Sequence, residues 1–91
     1  MSEKQLERKC CRMVEARGWL AIKMVSPNRV GVPDRMFVAP GTKVFFIEFK
    51  TPAGSLSGPQ ARTVTVFGGL GHYITIIRSV EQFERWMKLH I

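Results

Sequence analysis

Gly31-Val32-Pro33-Asp34-Arg35 and, beyond a turn, Val44-Phe45-Phe46-Ile47-Glu48-Phe49-Lys50 decide how this chain folds. The second run reads as a β-strand of large apolar residues, stopped by Thr51-Pro52. Strand side chains alternate between faces, so Val44, Phe46, Glu48 and Lys50 point one way and Phe45, Ile47 and Phe49 the other. A strand apolar on both faces belongs inside a sheet, where a carboxylate or an ammonium is costly unless compensated. Arg35–Ala39 reads as a preceding short strand, and Pro40-Gly41-Thr42 is a turn signal between the two runs. The resulting hairpin carries Asp34 and Lys50 to the same end of the sheet.

Two readings of the charged end compete. In one, Glu48 and Lys50 form an inert ion pair at the solvent-exposed end of the strand. In the other, a Gly-x-Pro turn fixes Asp34 near Glu48, and two carboxylates so placed repel unless a cation lies between them. Hard divalent ions such as Mg²⁺ take oxygen ligands, commonly one or two carboxylates with waters and substrate phosphates. A lysine beside them can act on an attacking water or on phosphate charge. Such a set suffices for phosphodiester hydrolysis.

Pro33-Asp34 with Glu48-Phe49-Lys50 resembles the PD-(D/E)XK nuclease motif. The longer pattern is Gly31-Val32-Pro33-Asp34-Arg35, Phe46-Ile47-Glu48-Phe49-Lys50-Thr51-Pro52, and Leu56-Ser57 with Gln60. It is similar to the virus-type replication-repair nuclease (VRR-NUC) domain of that superfamily, in its stand-alone phage or prophage form. The likeness runs from about Glu3 to the strand near Arg78. It implies a metal-dependent, structure-specific DNA endonuclease in which Asp34, Glu48 and the backbone carbonyl of Phe49 hold Mg²⁺ or Mn²⁺. It also implies that a first-helix glutamate joins the metal site. Glu7 is the best match, with Glu3 one turn earlier as its rival. Lys50 would act on the water, and Gln60 would orient water or phosphate.

Outward from the motif, Glu3–Arg17 has helical spacing in Leu6, Cys10, Met13 and Val14, with Gly18 as the stop. Arg8, Lys9 and Arg12 make its outer face basic. Trp19–Val25 reads as a first strand. Its Lys23 is either an edge charge or a phosphate contact. Asn28 and Arg29, in the loop before Asp34, fit DNA-backbone contacts or a solvated loop equally well, and Arg35 is counted with the DNA-contacting residues. Ser57-Gly58-Pro59-Gln60 has the form of a capping box, which gives Gln60 a structural role beside its implied catalytic one. Thr63–Phe67 alternates like a strand, but the cap favours a helix ended by Gly68-Gly69. His72–Arg78 is the last strand, and Ser79 caps a final helix with Val80, Phe83, Trp86 and Met87 on one face. His72 and His90 read as structural or solvated, and Trp86 as core. The expected fold is α/β: a small α-β-β-β-α-β restriction-endonuclease-like core with a mixed sheet flanked by helices, plus a C-terminal helix.

Ninety-one residues suit one small domain, 1–91. Fourteen Lys and Arg against seven Asp and Glu give a net charge of +7, which suits a polyanionic partner such as nucleic acid. No apolar run approaches the ~18 residues of a membrane span. No signal-peptide pattern opens the chain. Cys10 and Cys11 are adjacent and point about 100° apart on a helix, so neither a mutual disulfide nor a zinc site is expected. A reduced, intracellular, cytoplasmic setting fits these features, and the resemblance implies a bacterial host or phage-infected cell. A homodimer follows from the resemblance and from the need to cut two strands symmetrically, with four-way (Holliday) junctions as the substrate the resemblance suggests. The rival readings are a non-catalytic basic nucleic-acid-binding module, with Mg²⁺-indifferent and salt-sensitive binding, and a basic scaffold domain with no DNA affinity.

Overall fold

The computed structural model describes residues 1–91. Its elements are α1 (Glu3–Glu15), β1 (Leu20–Lys23), β2 (Arg35–Ala39), β3 (Lys43–Phe49), α2 (Gly58–Gly69), β4 (Ile74–Ile77) and α3 (Val80–His90). The strands lie in one sheet in the order β1-β2-β3-β4. The first two pairings are antiparallel and β3–β4 is parallel. A parallel neighbour cannot be reached by a tight turn, and α2 is the crossover that reaches it. The element order and the mixed sheet are those expected from the sequence.

Each face of the sheet receives its own cover. Phe37, Ile47, Phe49 and Ile77 meet Leu6, Cys10, Cys11 and Val14 of α1 and Phe83, Trp86 and Met87 of α3 in one buried cluster. Full burial of side chains of this size stabilises by about 1.5–3 kcal/mol each. Phe46, one residue out of phase with Ile47, packs edge-on against Phe67 of α2, with ring centroids 5.1 Å apart. The period-2 alternation of β3 thus separates the core from the face under α2. Both cysteines are free and buried, and burial raises their thiols to about 12 (Cys10) and about 11 (Cys11).

Element ends differ from the sequence reading where local hydrogen bonds intervene. α1 begins at a reciprocal capping box, Ser2 with Gln5, and closes at Glu15 rather than Arg17. β1 is shorter than Trp19–Val25: the Trp19 N–H turns back to the Val14 carbonyl at 3.1 Å, and its indole stacks on Phe45 at 5.8 Å. The last strand starts at Ile74, opposite Phe46, since the His72 N–H instead closes the end of α2 on the Phe67 carbonyl at 2.8 Å. Thr63–Phe67 is helical. The hydroxyls of Thr63 and Thr65 donate to the carbonyls of Pro59 and Ala61, which accommodates them inside α2. No helix is long and apolar enough to cross a membrane.

Candidate active site

The β2–β3 register pairs Arg35 with Ile47, which brings Asp34 level with Glu48 where the sheet ends. Asp34 is tied on two sides: its Oδ2 accepts from the Phe49 N–H at 2.8 Å, and its carbonyl accepts from the Met24 N–H at 3.1 Å. Pro33 before it is fully buried. Gly31, with φ +85°, lets the loop approach α2 so closely that a β-carbon there would lie 2.5 Å from the Pro59 carbonyl carbon. The loop bearing Asp34 is therefore seated on the first turn of α2.

Gln60 comes from that same turn. Its backbone N–H donates to Ser57 Oγ at 3.2 Å, and its Oε1 accepts from the Ser57 N–H at 2.9 Å, completing the capping box. Its remaining group, Nε2, donates to Glu48 Oε2 at 2.9 Å. Both readings of Gln60 from sequence are thus compatible in a single side chain. Glu48 is only 3% exposed, so the Glu48–Lys50 pair is not at a solvated strand end. Lys50 Nζ lies 3.9 Å from Glu48 Oε2, within ion-pair range but beyond hydrogen-bond reach. Its ammonium donors are not spent on Glu48.

Burial, then the negative charge of Asp34, pushes the Glu48 carboxyl up to about 7, against the pull of Lys50. Asp34 is also raised, chiefly by burial, with Glu7 and Glu3 adding to the shift and the Phe49 N–H opposing it. A chain of net charge +7 has therefore gathered negative charge at one place. Two converging carboxylates facing one ammonium present hard oxygen donors with charge left to neutralise, and that donor set fits a hard divalent cation. No three His, Cys, Asp or Glu side chains converge. Glu7 is near enough to influence Asp34, but its Oε2 is taken by Arg35 Nε at 2.6 Å.

The other residues singled out from sequence are spread around this centre. Arg35 faces α1, bridging Glu7 and the Ala21 carbonyl, and is about one-fifth exposed. Lys23 is exposed at the end of β1, opposite Arg35. Asn28 and Arg29 are exposed in the loop that precedes Gly31 and border an open cleft against α2. Arg78, which belongs to no motif in the sequence, donates to the carbonyls of Thr51 and Gly54 and straps down the loop leaving Lys50. Arg62 is the single charged residue of α2.

No protein-family model matches the chain. The protein called "Putative nuclease p44" of Acyrthosiphon pisum secondary endosymbiont phage 1 is 35% identical over 77 residues, which is 85% of this chain and 83% of that protein. A solved structure described as a VRR_NUC domain superposes with a TM-score of 0.90 at 22% identity, covering 98% of this chain and 97% of the other. At that identity the superposition speaks for the fold.

Proposed function

Because the chain belongs to the VRR-NUC family of nucleases, we propose that it hydrolyses DNA phosphodiester bonds with a divalent cation, Mg²⁺ or Mn²⁺, held by Asp34, Glu48 and the Phe49 carbonyl. The observation that carries this reading is the meeting of Asp34 and Glu48, both raised, beside a lysine with donors to spare. Such a cation, when bound, neutralises scissile-phosphate charge and makes water more acidic.

The chain's own groups do the rest. Asp34 is held in place by the Phe49 N–H, and Glu48 by the Gln60 amide. Lys50 directs its ammonium to the attacking water or to the phosphate oxygens whose charge grows during attack. Glu7 supports the site through its charge, and Arg35 fixes where that charge sits. Lys23, Asn28 and Arg29 lie outside this centre as contacts for the DNA backbone. The substrate is read as branched DNA, a four-way junction in its simplest symmetric form, cut by a homodimer. Two-fold pairing lets one small site serve two strands. The apolar side chains of Leu20 (59% exposed), Ile22 (41%) and Val44 (46%) lie beside the part of the sheet that α2 leaves open, which favours a second copy there.

The test compares wild type with Lys50→Ala and Glu48→Ala on labelled four-way junction and linear duplex, each with Mg²⁺, Mn²⁺ or EDTA. Expected are metal-dependent nicking, its loss in both variants with DNA binding retained, and a preference for the junction. Binding without cleavage under every metal would return the protein to the class of non-catalytic modules.

A further inference from the structure

The loop from Asn28 to Val30 and one side of α2 enclose an open cleft of about 600 Å³, bordered by Asn28, Arg29, Val30, Pro59, Arg62 and Val66. Its walls are the two segments that build the active site. The loop continues into Asp34, and the first turn of α2 carries Gln60. Gly31 welds them together through its contact with Pro59.

The charge in this cleft is of one sign. The sequence has no Asp or Glu from Ala16 to Pro33, and none from Phe49 to Val80. The chain's ion pairs are Glu7–Arg35 and Glu48–Lys50, so Arg29 and Arg62 have no acidic partner. Arg62 is exposed and lines the cleft. Its Nη1 would lie 3.4 Å from a β-carbon on Gly58, so the side chain runs back along α2 to the first turn of the helix. The cleft also carries two exposed valines, Val30 (80%) and Val66 (43%). No aromatic side chain borders the cleft, so it offers no platform for stacking bases. Unpaired positive forks beside small apolar side chains match a sugar–phosphate backbone, with phosphates on the guanidinium groups and sugars over the valines.

We propose that this cleft is the track for the DNA backbone flanking the scissile phosphate, with Arg62 and Arg29 each holding one phosphate. The proposal rests on the nuclease reading and extends it by assigning the side of the centre from which a strand arrives. Arg62 is a binding residue in this scheme and takes no part in the chemistry.

Duplex binding in EDTA, followed by fluorescence anisotropy across a salt series, tests it. Arg29→Ala and Arg62→Ala should each flatten the slope of log K against log salt by about 0.9, and the double variant by about twice that. Arg85→Ala removes the same charge from an exposed position on α3, across the sheet from α2, and should leave the slope unchanged. With metal present, Arg62→Ala should need more DNA to reach half-maximal rate yet match wild type at saturation. An Arg62→Ala slope equal to that of Arg85→Ala overturns the proposal, as does a wild type that binds no duplex. A wild type that binds but does not cleave overturns the nuclease reading alone, because the slopes are read without metal.

Discussion

Gln60 Nε2 donates to Glu48 Oε2 at 2.9 Å while the rest of the same side chain completes the cap of α2. The helix start and the buried carboxylate therefore share one residue, and the two roles separate by mutation. Ser57→Ala weakens the cap alone, costing about 1 kcal/mol, or roughly 4–8 °C in melting temperature for a domain of this size. Gln60→Ala also strips Glu48 of its amide donor and should slow cleavage by about 10–100-fold. Melting curves beside single-turnover rates check this. Equal rate losses in the two variants would leave Gln60 a capping residue only.

Glu48 gives the metal-free protein an unusual pH profile. Its carboxyl sits at about 7 in the fold against 4.5 ordinarily, so between those values the folded state holds more protons than the unfolded chain. Stability therefore falls as pH rises through this window, and Asp34 acts in the same direction. Glu48→Gln should remove most of the slope and leave the variant the more stable protein at neutral pH in EDTA, as urea midpoints would show. Cation affinity runs the other way. It should rise about tenfold per pH unit up to the Glu48 titration and level off above it, since the ligand is the deprotonated form.

Gly31 and Gly18 form a matched pair. Both have positive φ, +85° and +83°, but a β-carbon at Gly18 meets nothing within 4 Å, whereas at Gly31 it overlaps Pro59 and Gln60 backbone atoms. Gly18→Ala should cost only the left-handed strain of about 1–2 kcal/mol. Gly31→Ala should cost a further ~1–3 kcal/mol as the loop or helix shifts, and should reduce cleavage because Gln60 moves with it. Denaturant titration of the two variants tests the difference.

The Glu7–Arg35 pair, 2.6 Å apart with side chains 15% and 20% exposed, should show a coupling of about 1–2 kcal/mol in a double-mutant cycle of Glu7→Gln and Arg35→Met. Glu7→Gln also removes a charge that repels Asp34, so Asp34 should release its proton at lower pH. Its Mg²⁺ requirement should rise by no more than about tenfold, with the maximal rate preserved. Complete loss of activity would make Glu7 a direct ligand.

The fold was legible wherever pattern and punctuation agreed. The β3 alternation, the Pro40-Gly41-Thr42 turn and the Ser57–Gln60 cap each named their element, and the hairpin put Asp34, Glu48 and Lys50 at one end of the sheet; only the family resemblance pointed Gln60 there. What could not be read was pairing between side chains distant in sequence. Nothing local announces that Glu7 meets Arg35 or that Arg78 reaches back to Thr51, because a charged side chain's partner is set by packing. Gly31 was visible as part of a motif, but its reason, the contact with Pro59, exists only once α2 is in place. Ends of elements shifted for a similar cause: Trp19 and His72 satisfy aromatic or capping contacts in preference to the ladder.

The cysteines of α1 have a practical consequence. With Cys10 fully buried, Cys11 6% exposed, and both held as protonated thiols far above neutral pH, neither offers a ready thiolate to an alkylating reagent. A thiol introduced at an exposed position such as Arg62 would then be the reactive one, on an otherwise native background. Site-directed disulfide trapping to a thiol-bearing oligonucleotide, or attachment of a single fluorophore, becomes possible without first replacing two residues of the hydrophobic core.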